Sequence, residues 1–157
     1  MSAEARLVEL GIEVPSKSTP VANYVSAVQT GNLVFLSGHG PWKPDRTLIK
    51  GKVGSDLNME EAYEAARVTC LSLLGSLKAT IGNLDRVTRI VKLLGMVNAE
   101  QGFEDHPKVI NGASDLLVEV FGEKGRHARS AVGMGTLPSN IPVEIEMIVE
   151  VEEGYSY

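Results

Sequence analysis

Residues 58–82 read NMEEAYEAARVTCLSLLGSLKATIG, and this stretch decides the fold class. Asn58 with Glu61 three residues later makes a capping-box start. Ala62, Ala66, Cys70, Leu73, Leu74, Leu77 and Ile81 then recur at helical spacing until Gly82 ends the run. The spacing predicts a long helix over 59–81. Upstream, Asn23 to Gln29 and Leu33 to Ser37 read as strands joined by the short hairpin connection Thr30-Gly31-Asn32. Residues 38–57, rich in Gly, Pro, Lys and Asp, read as a long loop with a short strand near Leu48-Ile49. Downstream, Asp85 to Asn98 reads as a long buried strand around Ile90, Val91, Leu93 and Leu94. A second helix starts near Pro107, a residue tolerated in the first turn. It carries Ile110, Ala113, Leu117, Val120 and Phe121 on one face and ends at Gly122. Two strands close the chain: Ala128 to Met134, and Val143 to Val151.

The order is β-β-α-β-α-β-β, an α+β protein in which two helices can cover only one face of the sheet. Yet Leu33-Val34-Phe35-Leu36, and Ile90-Val91 with Leu93-Leu94, put apolar side chains on both faces. The uncovered face needs a partner, and self-association through the sheet is the simplest one. A homo-oligomer with grooves where subunits meet is therefore expected.

The 157 residues fit one domain, 1–157, with a core large enough to need no staples. Residues 1–19 form an N-terminal extension, irregular apart from a short helical turn over 4–11 closed by Gly11; Pro15 to Pro20 is an irregular lead-in. A net charge of -5, with no Lys/Arg run, argues against a nucleic-acid partner. One cysteine cannot form an internal disulfide, the N-terminus lacks an apolar leader, and no apolar run approaches the ~20 residues that cross a bilayer. The expected location is the cytoplasm, with no membrane partner.

Chemistry concentrates near the C-terminus. Arg129 lies in His127-Ala128-Arg129-Ser130-Ala131-Val132, a strand-forming stretch where a guanidinium must be matched by an anion or by carbonyls. It is either a carboxylate clamp or an interface ion pair with one of the many glutamates. Glu144, fifteen residues on, is either its acid/base partner or a solvated position of an alternating strand. If the last two strands pair across the turn at Thr136 to Pro142, Glu144 lies opposite a residue near Gly133. Arg129 is then roughly 13 Å further along the same face. Residues from another strand or subunit would have to complete a site for a small substrate. A neighbouring Arg129 would keep Glu144 ionised, which suits a base or water-orienting role.

The other candidates are weaker. Cys70, in the apolar stripe of the helix, reads as an inert small hydrophobe. His39, His106 and His127 lack ligand-like spacing, so neither a metal site nor a cofactor is expected. His127 either points to the opposite face of the strand from Arg129 or lines its groove. Ser37 lacks the nucleophile elbow of a serine hydrolase. Gly38-His39-Gly40 and Gly133-Met134-Gly135 lack both the Lys-Ser/Thr of a P-loop and a following helix.

From Pro20 onward the chain resembles the Rid family of reactive intermediate deaminases, also called the YjgF or L-PSP endoribonuclease family. The resemblance is carried by residues 24–38, YVSAVQTGNLVFLSG, by the helical stretch 60–81, and by Ala128-Arg129-Ser130 through Leu137-Pro138 to Val143-Glu144-Ile145-Glu146. Val109-Ile110-Asn111-Gly112-Ala113-Ser114-Asp115 and Gly125-Arg126-His127-Ala128-Arg129-Ser130 look like a longer bacterial branch. His39 stands where glutamine is usual, and Ala131 where some members have cysteine.

The resemblance implies a chorismate-mutase-like α+β protomer and a homotrimer with its helices outward and ligand clefts between subunits. By the match, Arg129 would bind a substrate carboxylate and Glu144 would contact the reacting centre or its water. Tyr24 of the first strand, the Ser37-Gly38 pair and Asn111 would complete the site. The activity implied is hydrolysis of 2-imino or enamine acids to 2-oxo acids and ammonia, without metal or cofactor. The alternatives are a non-catalytic trimer that binds small carboxylates, and the endoribonuclease or translation-inhibitor activity attached to the family's name. The acidic charge and the absence of a paired-histidine signature weigh against the last.

Overall fold

The computed structural model describes residues 1–16 and 22–153. Helices α1 (Ala3–Leu10), α2 (Met59–Ile81) and α3 (His106–Phe121) accompany strands β1 (Ala27–Thr30), β2 (Leu33–His39), β3 (Val87–Asn98), β4 (Ala128–Met134) and β5 (Val143–Val151). The five strands form one sheet in the order β1-β2-β5-β3-β4. Only β3 and β4 are parallel, the pair joined through α3, because parallel neighbours need a crossover long enough to return the chain.

Both long helices begin and end where their local chemistry dictates. Asn58 and Glu61 close a reciprocal capping box, and Gly82 terminates α2 at a φ of 87°. Pro107 occupies the first turn of α3, and Gly122 ends it at a φ of 61°. The two helices pack together and cover one face of the sheet, on which Val143, Ile145, Met147, Val149 and Val151 are buried. Gly112 permits the close helix contact, since a Cβ there would overlap the carbonyl oxygen of Tyr63.

Within the N-terminal extension the short turn expected over 4–11 and closed by Gly11 is a full helix, Ala3–Leu10, capped by the Ser2 side chain, with Gly11 in the left-handed conformation. Ala3 and Leu7 enter the core, and Glu4 accepts hydrogen bonds from Leu84 N and Lys78 Nζ. Of the expected irregular segment Pro15 to Pro20, residues 17–20 lie outside the described residues. The loop before α2 is held against the sheet's end by Lys52, whose ammonium donates to Asn98 Oδ1 at 2.7 Å and Gly135 O at 3.1 Å.

The expected hairpin between the last two strands does not form. β5 inserts between β2 and β3, antiparallel to both, and β4 takes the outer edge. The alternation of β5 explains the insertion: its buried side chains need helix cover, which the centre of the sheet supplies and an edge does not. β1 is also shorter than its β-rich sequence suggests, so Tyr24 precedes the strand rather than lying within it.

Among the described residues no helix covers the opposite face. It presents Val28 (54% exposed), Phe35 (41%) and Val132 (39%), with Leu94, Met96 and Ile148 half-buried between them. Glu144, Glu146 and Glu150 share this face by strand alternation.

Candidate functional site

Arg129 projects from β4 toward α3. Its Nη1 donates to Ser114 Oγ at 3.0 Å and its Nη2 to the carbonyl oxygen of Pro107 at 3.2 Å. Pro107, Asn111 and Ser114 are four and three residues apart, so they lie on one stripe of α3, the stripe that faces Arg129 through Pro107 and Ser114. Among the described residues no carboxylate lies within ion-pair distance of Arg129, so an ion pair at an interface would need a carboxylate from another copy. The half-buried cation is held by neutral oxygens, and these engage two of its five N–H groups.

His127 joins the same cluster. Its Nδ1 lies 2.7 Å from Gly125 O and its Nε2 2.9 Å from Ser114 Oγ. Burial lowers its pKa; the Gly125 contact raises it and the Arg129 charge lowers it further. Of the two orientations open to His127, the ring takes the one that lines the arginine's surroundings. The involvement of Ser114 and of the Pro107 carbonyl was not legible in the sequence, because no spacing rule links a helix to an edge strand.

Glu144 and Gly38 form a second contact, which Ser37 adjoins in the chain. The Glu144 carboxylate rests on Gly38, where a Cβ would come within 2.5 Å of Oε2. The chain can bring them together because β2 carries an irregularity between Leu36 and His39, which turns the Gly38 backbone toward β5. Ser37 Oγ donates to Val25 O at 2.7 Å, and Ser37 N to Ser26 O at 2.9 Å. The serine is thus spent on holding the segment that carries Tyr24, itself half exposed. His39 is buried behind this turn, its Nδ1 2.6 Å from Ser37 O and its Nε2 2.7 Å from Ser76 Oγ.

Within one protomer Arg129 and Glu144 do not meet. Arg129 is in register with Leu93 of β3, and Glu144 with Met96. That puts their Cα atoms roughly 14 Å apart. The side chains also leave opposite faces, Arg129 toward α3 and Glu144 onto the uncovered side. The expectation that Arg129 keeps Glu144 ionised therefore fails for the isolated chain: burial, and then the like charge of Glu146, raise the Glu144 pKa.

A cavity of about 350 Å³ lies elsewhere, lined by Ser2, Leu84, Phe121 and Lys124 among others, at the C-terminal end of α3. Cys70 is fully buried and its thiol is pushed up to about 12 by burial. Among the described residues no cluster of three or more His, Cys, Asp or Glu side chains is gathered for a metal ion, and no helix is long and apolar enough to cross a membrane.

This sheet, with its crossover helix, has known counterparts. Residues 4–151 match the family model described as "YjgF/chorismate_mutase-like, putative endoribonuclease". The chain belongs to the YjgF/RutC family. It is 42% identical to Protein TCP17 of Trypanosoma cruzi over 94% of this chain and 92% of that one. It is 30% identical to the 2-iminobutanoate/2-iminopropanoate deaminase of Dermatophagoides farinae, covering 90% and 95% of the two chains. A crystal structure from Shewanella oneidensis, described as a "putative endoribonuclease", superposes with a TM-score of 0.92 at 34% identity, covering 96% of this chain and 100% of that one. The YjgF-like α+β fold anticipated from the sequence is thus the fold of its relatives.

Proposed function

We propose that the protein hydrolyses 2-imino acids, formed from enamine precursors, to 2-oxo acids and ammonia at clefts between protomers of a homotrimer. The observation that carries this reading is Arg129: a half-buried guanidinium seated on neutral acceptors, with no carboxylate among the described residues within ion-pair distance. A planar fork of this kind suits a substrate carboxylate by parallel hydrogen bonds. The 2-iminobutanoate deaminase among the relatives supports the substrate class.

Oligomerisation would unite Arg129 with Glu144. The uncovered sheet face, with Phe35, Val28, Leu94, Met96 and Val132, is apolar enough to pack against another copy. In such a cleft Arg129 and Asn111 of one protomer hold the carboxylate, while Glu144, Gly38 and Tyr24 of a neighbour wall the reacting carbon. Water adds to the carbon of the protonated C=N group as Glu144 accepts its proton, forming a neutral carbinolamine. Glu144 returns that proton to the amine nitrogen and then takes the hydroxyl proton as the C–N bond breaks, so that ammonia leaves as the C=O forms and the last proton goes to solvent. A carboxylate with a raised pKa is better matched to taking and returning a proton near neutrality than an ordinary one. The single free, buried Cys70 suits the reducing cytoplasm.

The test is an imine-quench assay in which an amino-acid dehydratase or oxidase generates the substrate. Wild type is expected to accelerate oxo-acid release, and Arg129→Ala to lose that acceleration. Equal rates would end the reading. Arg129-dependent binding of an oxo acid without turnover would favour the non-catalytic carboxylate binder.

A further inference from the structure

Two neighbouring blocks of sequence, 109–115 and 125–130, are brought into contact by a directed chain of hydrogen bonds. His127 Nδ1 faces the carbonyl oxygen of Gly125, which can only accept, so Nδ1 carries the proton. Nε2 of the neutral ring is then bare and accepts from the Ser114 hydroxyl. With its proton committed to His127, Ser114 Oγ turns its lone pairs outward, and one accepts from Arg129 Nη1. Every bond has one direction only: imidazole to carbonyl, hydroxyl to imidazole, guanidinium to hydroxyl.

We propose that Ser114 and His127 are positioning residues for Arg129. They aim its free N–H groups at the ligand carboxylate and fix the tautomer that keeps a second positive charge out of the cluster. This rests on the carboxylate-clamp reading of Arg129. The guanidinium offers no acceptor, so it takes only a lone pair of Ser114 Oγ, and the histidine gives the hydroxyl hydrogen a fixed acceptor on the other side. The Pro107 carbonyl supplies the second anchor, so the fork is held at two points on one helix stripe. Since the carboxylate is gripped alike in ground and transition states, loosening this support should raise KM and leave kcat nearly unchanged.

The test is calorimetric titration of the full-length protein with 2-oxobutanoate, together with imine-quench kinetics. The variants are Ser114→Ala, Ser114→Thr, His127→Leu, His127→Gln and Arg129→Ala. Ser114→Ala and His127→Leu are expected to weaken binding and raise KM about tenfold. Thr, which keeps the hydroxyl, and Gln, which can place an amide oxygen where Nε2 sits, should restore both to within about threefold. A packing role alone would instead lower Tm without rescue by the hydroxyl. Loss of binding in Arg129→Ala with full retention in Ser114→Ala and His127→Leu overturns the positioning role and leaves the clamp standing. Equal binding by wild type and Arg129→Ala overturns both.

Discussion

Gly38→Ala should separate chemistry from folding. A Cβ at position 38 would stand 2.5 Å from Glu144 Oε2, 3.0 Å from Cδ and 3.2 Å from Cγ. Ordinary C···O contact begins at about 3.3 Å, so the carboxylate must retreat by roughly 1 Å. It can do so cheaply, because it is the end of a flexible side chain on an uncovered face. Gly38 also lacks a left-handed φ, so alanine gains about 0.4–1 kcal/mol from a less flexible unfolded chain. Stability in urea should stay within about 1 kcal/mol of wild type, while a displacement of that size should lower kcat about 100-fold. Gly112→Ala provides the contrast. There the obstacle is the Tyr63 backbone oxygen, which cannot step aside, so about 1–3 kcal/mol of stability should be lost. The assays are imine-quench kinetics and urea melts on both variants, with Glu144→Gln and the Gly38→Ala/Glu144→Gln pair. If the glycine acts through the glutamate, the pair should be no worse than Glu144→Gln alone. Activity within twofold of wild type in Gly38→Ala would refute the reasoning.

Glu144→Gln should abolish most turnover with little change in KM, and stabilise the fold at pH 7. Because the folded pKa is raised, the native state holds the proton more tightly, and stability falls as pH rises from the ordinary carboxylate value through the raised one. The Tm advantage of the glutamine should therefore vanish in acid. His39→Leu should cost about 1–3 kcal/mol in urea melts by orphaning the buried Ser76 hydroxyl, and His39→Gln less. Burial lowers the His39 pKa, with the Ser37 carbonyl opposing it; the unfolded chain then binds the proton first. Stability should drop as pH falls from 6.5 toward the lowered value, and His39→Gln should flatten that slope. Cys70, buried and with its thiol near 12, should resist a disulfide reagent in native protein and react on unfolding in urea.

The parts of this fold written in local chemistry were legible. Asn58, Glu61 and Gly82 bracket α2 in both sequence and structure because caps act within a turn of the chain. The pairing of β5 was not, since the short connection from β4 imitates a hairpin while the true partners lie about fifty and a hundred residues upstream. Tyr24-Val25-Ser26 has strand-forming residues but lies outside the ladder, held to Ser37 by one backbone bond to Ser26 and one side-chain bond to Val25. At the site, the residue types were readable and their division between faces was not: the alternation of β5 puts Glu144 on the uncovered face, whereas Arg129 follows from contacts with α3 that no periodicity encodes. Ser114 and His127 could be noted as neighbours of interest, but only the packing of α3 on β4 joins them to the arginine.

The most direct measurement is a crystal structure of the protein with 2-oxobutanoate. The account predicts the carboxylate against the Arg129 guanidinium at hydrogen-bond distance, about 3 Å, in a cleft whose far wall carries Glu144 of a neighbouring protomer. An Arg129 paired instead with a protein carboxylate across the interface, or a ligand seated away from both residues, would contradict it.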